Sequence, residues 1–113
     1  MHEVGIMEEI LDTAMSAAAA QNATQIHCIT VVIGALSGVS APALQFAFQA
    51  LSSGTMAEGS AFELIEKPAI CFCTNCEIEF SPEDIIYICP RCASLSSEIR
   101  SGRELELSTL EVS

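Results

Sequence analysis

Cys73-Thr74-Asn75-Cys76 and Cys89-Pro90-Arg91-Cys92 are two C-x-x-C turns separated by twelve residues. A turn of this kind points two sulfurs at one place, and a second turn, returned by a short excursion, completes a tetrahedron. Zn²⁺ accepts four thiolates in that arrangement with no electronic preference of its own. Because all four positions are filled, such a site holds structure together and offers no place for a substrate. Two disulfides or an iron–sulfur centre are the other uses of the same pattern. Cys71 is a fifth thiol that could stand in for Cys73, although the Cys73-x-x-Cys76 spacing suits a knuckle turn better. The residues after the second and fourth cysteines are Glu77 and Ala93. Knuckle turns favour glycine there because the backbone tends toward positive φ, so these two positions are expected to be strained. Four thiolates around Zn²⁺ carry a net charge of −2, which Arg91 and Lys67 are placed to offset in part.

The other donor set is Met1-His2-Glu3. Chain ends are often disordered, and a lone histidine is more often a surface residue than a ligand. Here, however, an α-amine, a backbone nitrogen and an imidazole are adjacent, and they can wrap a metal in five- and six-membered chelate rings. Square-planar nitrogen sites of that type suit Ni²⁺ or Cu²⁺. Glu3 can add a further backbone nitrogen or a carboxylate.

Charge limits what the chain can bind. The net charge is −11 over 113 residues, and residues 1–66 hold seven acids with no Lys or Arg. Nucleic-acid binding needs a basic footprint to neutralise phosphates, and an anionic bilayer surface would repel this chain. A metal cation or a basic protein partner fits better. The first residues lack a positive segment followed by an apolar stretch, so a cytoplasmic protein is expected, with its thiols reduced. That compartment favours metal over disulfides at the C-x-x-C pairs.

The elements that must position these donors follow from periodicity. Met7, Ile10, Leu11, Ala14, Met15 and Ala18 recur at helical spacing, which predicts a helix over 4–21 with an αL-tolerant stop at Gln21-Asn22. Residues 26–34 are β-branched and predict a strand with Ile29, Val31 and Ile33 on one face and Ile26, Cys28, Thr30 and Val32 on the other. His27 and Cys28 read as packing or surface residues. Ser40 is placed to cap a second helix opened by Ala41-Pro42, with Leu44, Ala47, Phe48 and Leu51 as its apolar stripe and Gly54 closing it. Ala61–Lys67 predicts a second strand that ends at Pro68. Ser94–Gly102 is polar and reads as an irregular exit. Residues 104–112 resume a strand pattern whose parity changes, which predicts a bulge near Ser108-Thr109. The expected fold is α+β: a three-stranded sheet with two helices on one face, plus an inserted zinc-ribbon module. Residues 1–67, completed by 103–113, would form the nickel-binding α/β domain, and 68–102 the insert, with Pro68 and Gly102 at its joints. Strand exchange through those joints leaves a homodimer open beside a monomer.

Taken together, Met1-His2-Glu3 opening a helix, Gly34-Ala35-Leu36-Ser37-Gly38-Val39 after a strand, Ala43-Leu44-Gln45-Phe46-Ala47-Phe48, Gly54-Thr55, the C-x-x-C…C-P-x-C pattern and a closing Glu104-Leu105 strand resemble the HypA family. Its members are nickel metallochaperones for [NiFe]-hydrogenase maturation and, in some organisms, for urease. The resemblance implies that His2 is the essential nickel ligand, assisted by the Met1 amine and Glu3. It implies structural Zn²⁺ on Cys73, Cys76, Cys89 and Cys92. It also implies a HypB-type GTPase as partner and the hydrogenase large-subunit precursor as recipient. Some members carry an Asp in the loop before the second helix; this chain has Ser40 near that place, which leaves a carboxylate contribution there open. The expected role is carriage of Ni²⁺, with no enzymatic activity. A zinc-ribbon adaptor that binds only protein, or a thiol redox module, are the alternatives that the cysteines alone would permit.

Overall fold

The computed structural model describes residues 2–82, 86–95 and 98–113. In chain order the elements are α1 (Glu3–Ala20), β1 (Ile26–Gly34), α2 (Ala41–Ser52), β2 (Ala61–Lys67), β3 (Ile70–Cys73), β4 (Ile78–Phe80), β5 (Glu98–Ser101) and β6 (Leu105–Val112). They build two three-stranded sheets, ordered β2-β1-β6 and β4-β3-β5. In the first, β1 pairs parallel with β2 and antiparallel with β6. No helix among the described residues is long and apolar enough to cross a membrane.

Helix α1 stops where the sequence says it should. Asn22 takes φ 60°, and the N–H groups of Ala23 and Asn22 donate back to the carbonyls of Ala18 and Ala19. This is a Schellman closure that satisfies two otherwise orphaned carbonyls. Helix α2 begins at Ser40, whose Oγ accepts from the Ala43 amide at 3.3 Å. Both helices lay their apolar stripes on one face of the first sheet. Ile6, Met7, Ile10, Leu11, Ala14 and Ala18 of α1 and Leu44, Ala47 and Phe48 of α2 close over Ile26, Ile29, Val31 and Ile33. Phe48 stacks on Phe62 of β2 with ring centroids 4.7 Å apart, which fixes α2 over that strand.

Two bulges set the parity of this sheet. Opposite Thr30 and Val31 lie Thr109 and Leu107, so Ser108 is the extra residue. The bulge expected near Ser108-Thr109 is there, and it turns Leu107, Leu110 and Val112 to the same core. A second irregularity lies between Ile26 and Cys28, whose partners Val112 and Glu111 are adjacent. It corrects the strict alternation expected for β1: Ile26 joins Ile29 in the core, while Cys28, Thr30 and Val32 share the other face. His27, at the irregularity, is exposed and bonds through Nε2 to Ser113 Oγ at 2.6 Å.

The stretch Ser94–Gly102, expected to be irregular, contains β5, which pairs antiparallel with β3. Short polar strands like this carry no clear alternation, and the Arg100 guanidinium, 3.7 Å above the Phe72 ring, holds β5 through a contact between strands. Ser96 and Ser97 lie outside the described residues.

The sheets are joined through Pro68-Ala69 on one side and Gly102-Arg103 on the other. Three successive amides at the end of β1 reach both crossings: Gly34 donates to Glu104 O (2.7 Å), Ala35 to Lys67 O (2.9 Å) and Leu36 to Gly102 O (2.6 Å). A Cβ on Gly34 would collide with the carbonyl group of Gly102, which itself adopts φ +121°. Glu104 adds a local clasp, its carboxylate accepting from the Gly102 amide (2.8 Å) and the Ser101 hydroxyl (3.2 Å). The positive charge of Lys67 also favours the ionised form of this carboxylate.

Gly34→Ala is therefore expected to destabilise the zinc-loaded protein by about 3 kcal/mol, the upper range for forcing atoms into a filled space. Gly59→Ala, left-handed but facing open space, should cost only about 1 kcal/mol; urea unfolding midpoints read both. The Glu104 carboxyl is held below its ordinary range by its own amide, the Gly102 amide, the Ser101 hydroxyl and Lys67. Its stabilising contribution is full above the ordinary carboxylate range and is lost as pH falls through the lowered folded value. Glu104→Gln should flatten the acid limb of the stability profile.

Candidate metal centre

The second sheet has a very small core. Cys71, Cys73, Phe80 and Cys89 are buried, with Cys76, Ile78, Tyr87, Cys92 and Ile99 packed against them. So few apolar side chains cannot by themselves offset the entropy of ordering the segment. What the sheet has instead is sulfur. The Sγ atoms of Cys73, Cys76, Cys89 and Cys92 all lie within 4.8 Å of one another, and Cys73 and Cys92 are 3.5 Å apart. A disulfide needs about 2.05 Å, and all six cysteines are free. Zn–S bonds of about 2.3 Å in a tetrahedron place the sulfurs about 3.8 Å apart, which falls within the observed range.

The two turns are built alike. After Cys73, the Cys76 amide donates to Cys73 Sγ (3.4 Å) and the Glu77 amide to Cys73 O (2.7 Å). After Cys89, the Arg91 amide donates to Cys89 Sγ (3.4 Å) and the Ala93 amide to Cys89 O (2.9 Å). Closing each turn requires the following residue to be left-handed. Glu77 and Ala93 take φ 56° and 63°, the strain that the missing glycines implied.

The electrostatics call for a cation. The Ser94 hydroxyl and amide and the Asn75 side chain hold the Cys92 thiol down at about 5, while the neighbouring Cys92 sulfur, burial and Cys73 push Cys76 up to about 12. Without a positive charge at the centre, one sulfur ionises and forces its neighbour to stay protonated. A divalent ion removes that conflict by binding four thiolates at once. The donor set therefore fits structural Zn²⁺. Cys71 is fully buried between β4 and β5, opposite Phe80 and Ile99, and lies outside the cluster.

The N-terminal donors sit at the other sheet. His2 is the N-cap of α1, with φ −111° and ψ 140°, and its carbonyl accepts from the Ile6 amide at 3.1 Å. Its imidazole makes no capping bond and is exposed, so its nitrogens are available. Glu3 Oε2 accepts from the Ser40 amide at 2.9 Å. That bond and one from its own amide hold the Glu3 carboxyl below its ordinary range. Met1 lies outside the described residues. The Glu3–Ser40 contact joins residues 37 apart and has no local signal in the sequence.

Residues 1–112 match the family model described as hydrogenase/urease nickel incorporation, metallochaperone, hypA. This chain belongs to the HypA family. It is 49% identical over 112 residues to the hydrogenase maturation factor HypA of a Picosynechococcus species, covering 99% of each chain. It is 38% identical to the factor of the same name from Chloroflexus aurantiacus, covering 98% of each chain. The fold is that of the solution structure of the Ni metallochaperone HypA from Helicobacter pylori, with a TM-score of 0.69 over 99% of this chain and 97% of that one at 21% identity. A second solution structure of a HypA protein superposes with a TM-score of 0.72 over 99% and 96% of the two chains at 23% identity. HypA proteins are nickel metallochaperones, not enzymes, and their partners belong to the hydrogenase maturation machinery.

Because Glu77 and Ala93 hold left-handed backbone, Glu77→Gly and Ala93→Gly should each stabilise the metal-loaded turn by up to about 1 kcal/mol. Slower zinc loss to a chelator is the expected readout. Full removal of zinc should unfold the second sheet while α1 and α2 keep their circular dichroism.

Proposed function

We propose that this HypA chain captures Ni²⁺ with the Met1 α-amine and the His2 backbone and imidazole nitrogens, assisted by Glu3, and transfers it to the hydrogenase large-subunit precursor. Cys73, Cys76, Cys89 and Cys92 hold Zn²⁺ permanently. The observation that carries the nickel reading is the state of His2: it begins a helix, it is exposed, and its imidazole is not spent on capping. The donors can therefore close around an ion without disturbing the core, and release needs only exchange at the chain end. The zinc centre is closed by four sulfurs and takes no part in transfer.

In this reading the chain divides into a nickel-binding unit, residues 1–67 with 103–113, and a zinc-ribbon insert, 68–102. A HypB-type GTPase is the partner and the cytoplasm the compartment. The acidity of residues 1–66 favours a basic docking surface on the recipient. At such nitrogen donors Cu²⁺ binds more tightly than Ni²⁺ on intrinsic affinity, so metal supply and partners select nickel.

His2→Ala should weaken Ni²⁺ binding on the order of 100-fold, since loss of the imidazole opens a chelate ring worth about 3 kcal/mol, and should abolish hydrogenase maturation while zinc content stays at one per chain. Wild-type affinity should fall on acidification, because the nitrogen donors must shed protons to bind. Nickel titration with metal analysis decides; unchanged affinity in His2→Ala defeats the assignment.

A further inference from the structure

The amide of Ser40 needs a partner that its own helix cannot supply. An N-cap serine uses its side chain on the N3 amide, and Ser40 Oγ does this with Ala43. In a capping box the N3 side chain returns the favour by accepting from the N-cap amide. Here N3 is Ala43, whose methyl group cannot accept. The missing acceptor comes from the other helix: Glu3 Oε2 takes the Ser40 amide at 2.9 Å. The box is thus completed between helices, from the first turn of α1 to the first turn of α2. One carboxylate sits at both helix N-termini, where partial positive charge favours it.

The placement of this contact matters for the residue beside it. His2 immediately precedes Glu3, and its carbonyl, not its side chain, bonds to the helix. First turns fray when nothing fastens them. The side chain that fastens this turn is Glu3, and the body it is fastened to is α2, anchored in turn by Phe48 on Phe62.

We propose that Glu3 serves nickel capture as a positioning residue: its carboxylate ties the start of α1 to the Ser40 amide and so sets where His2 projects, without donating to the metal. This rests on the His2 site described above. To ligate through Oε2 the carboxylate must release the Ser40 amide, and that release would loosen the turn that carries the imidazole.

The test uses the full-length, zinc-loaded protein, with Ni²⁺ titrated and its ligand-field absorption recorded. Glu3→Ala should bind nickel about tenfold more weakly, the size expected for losing a hydrogen bond to a charged group, with band positions unchanged. Glu3→Gln keeps an oxygen that can accept from Ser40 through a weaker, uncharged bond and should fall between wild type and Glu3→Ala. Ser40→Ala keeps the amide and should stay within about twofold of wild type. In the metal-free protein the Ser40 amide should exchange faster in Glu3→Ala than in Glu3→Gln. Shifted bands in Glu3→Gln would make the carboxylate a donor and overturn the proposal. Unchanged affinity or unchanged Ser40 exchange in Glu3→Ala overturns it as well. Wild-type affinity in His2→Ala overturns the nickel site, and the proposal with it; Ser40 exchange, read without metal, separates the two failures.

Discussion

At the end of the central strand, the backbone of Gly34 lies so close to Gly102 that a side chain on Gly34 would collide with the Gly102 carbonyl, and one on Gly102 would press on Ala69 and Leu36. That approach lets the three amides of Gly34, Ala35 and Leu36 reach Glu104, Lys67 and Gly102 in succession. Both crossings between the sheets are therefore hydrogen-bonded to one short loop. The same loop runs on to Ser40, whose amide holds Glu3. From the second sheet to the residue after His2, hydrogen bonds lead through this loop to the Glu3 carboxylate.

The two metal chemistries occupy opposite ends of a scale of rigidity. Among the described residues, the core around the sulfur cluster has four buried side chains, three of them cysteines. A divalent ion would bind these sulfurs together, since four thiols this close cannot all ionise without one. The nitrogen donors proposed for nickel lie on a body whose core is built from both helices and three strands and needs no metal. In the proposed function, the ion that stays is matched to a closed sulfur cluster and the ion that leaves to the donors at residues 1–3.

Much of this was legible in the chain itself. The helical stripe of α1, its stop at Asn22, the Ser40 cap and the bulge at Ser108 all follow from local rules, since each depends on neighbours within a few residues. The strain at Glu77 and Ala93 was visible as glycines that were missing. The failures share a cause. The displacement of Ile26 to the core comes from a mismatch with β6, some 80 residues away, and β5 is held by partners in β3.

By itself the sequence determined which atoms could bind metal and how far apart they stand along the chain, because C-x-x-C spacing and an N-terminal His are covalent facts. It also determined the family, whose motifs are local strings. Only the tertiary structure decided what each donor is free to do. It buried Cys71 away from the other sulfurs, left the His2 imidazole uncommitted, and gave the Glu3 carboxylate to an amide 37 residues distant. Hydrogen bonds across such separations are set by how helices and sheets pack, and packing is a property of the whole core, which no short stretch of residues encodes.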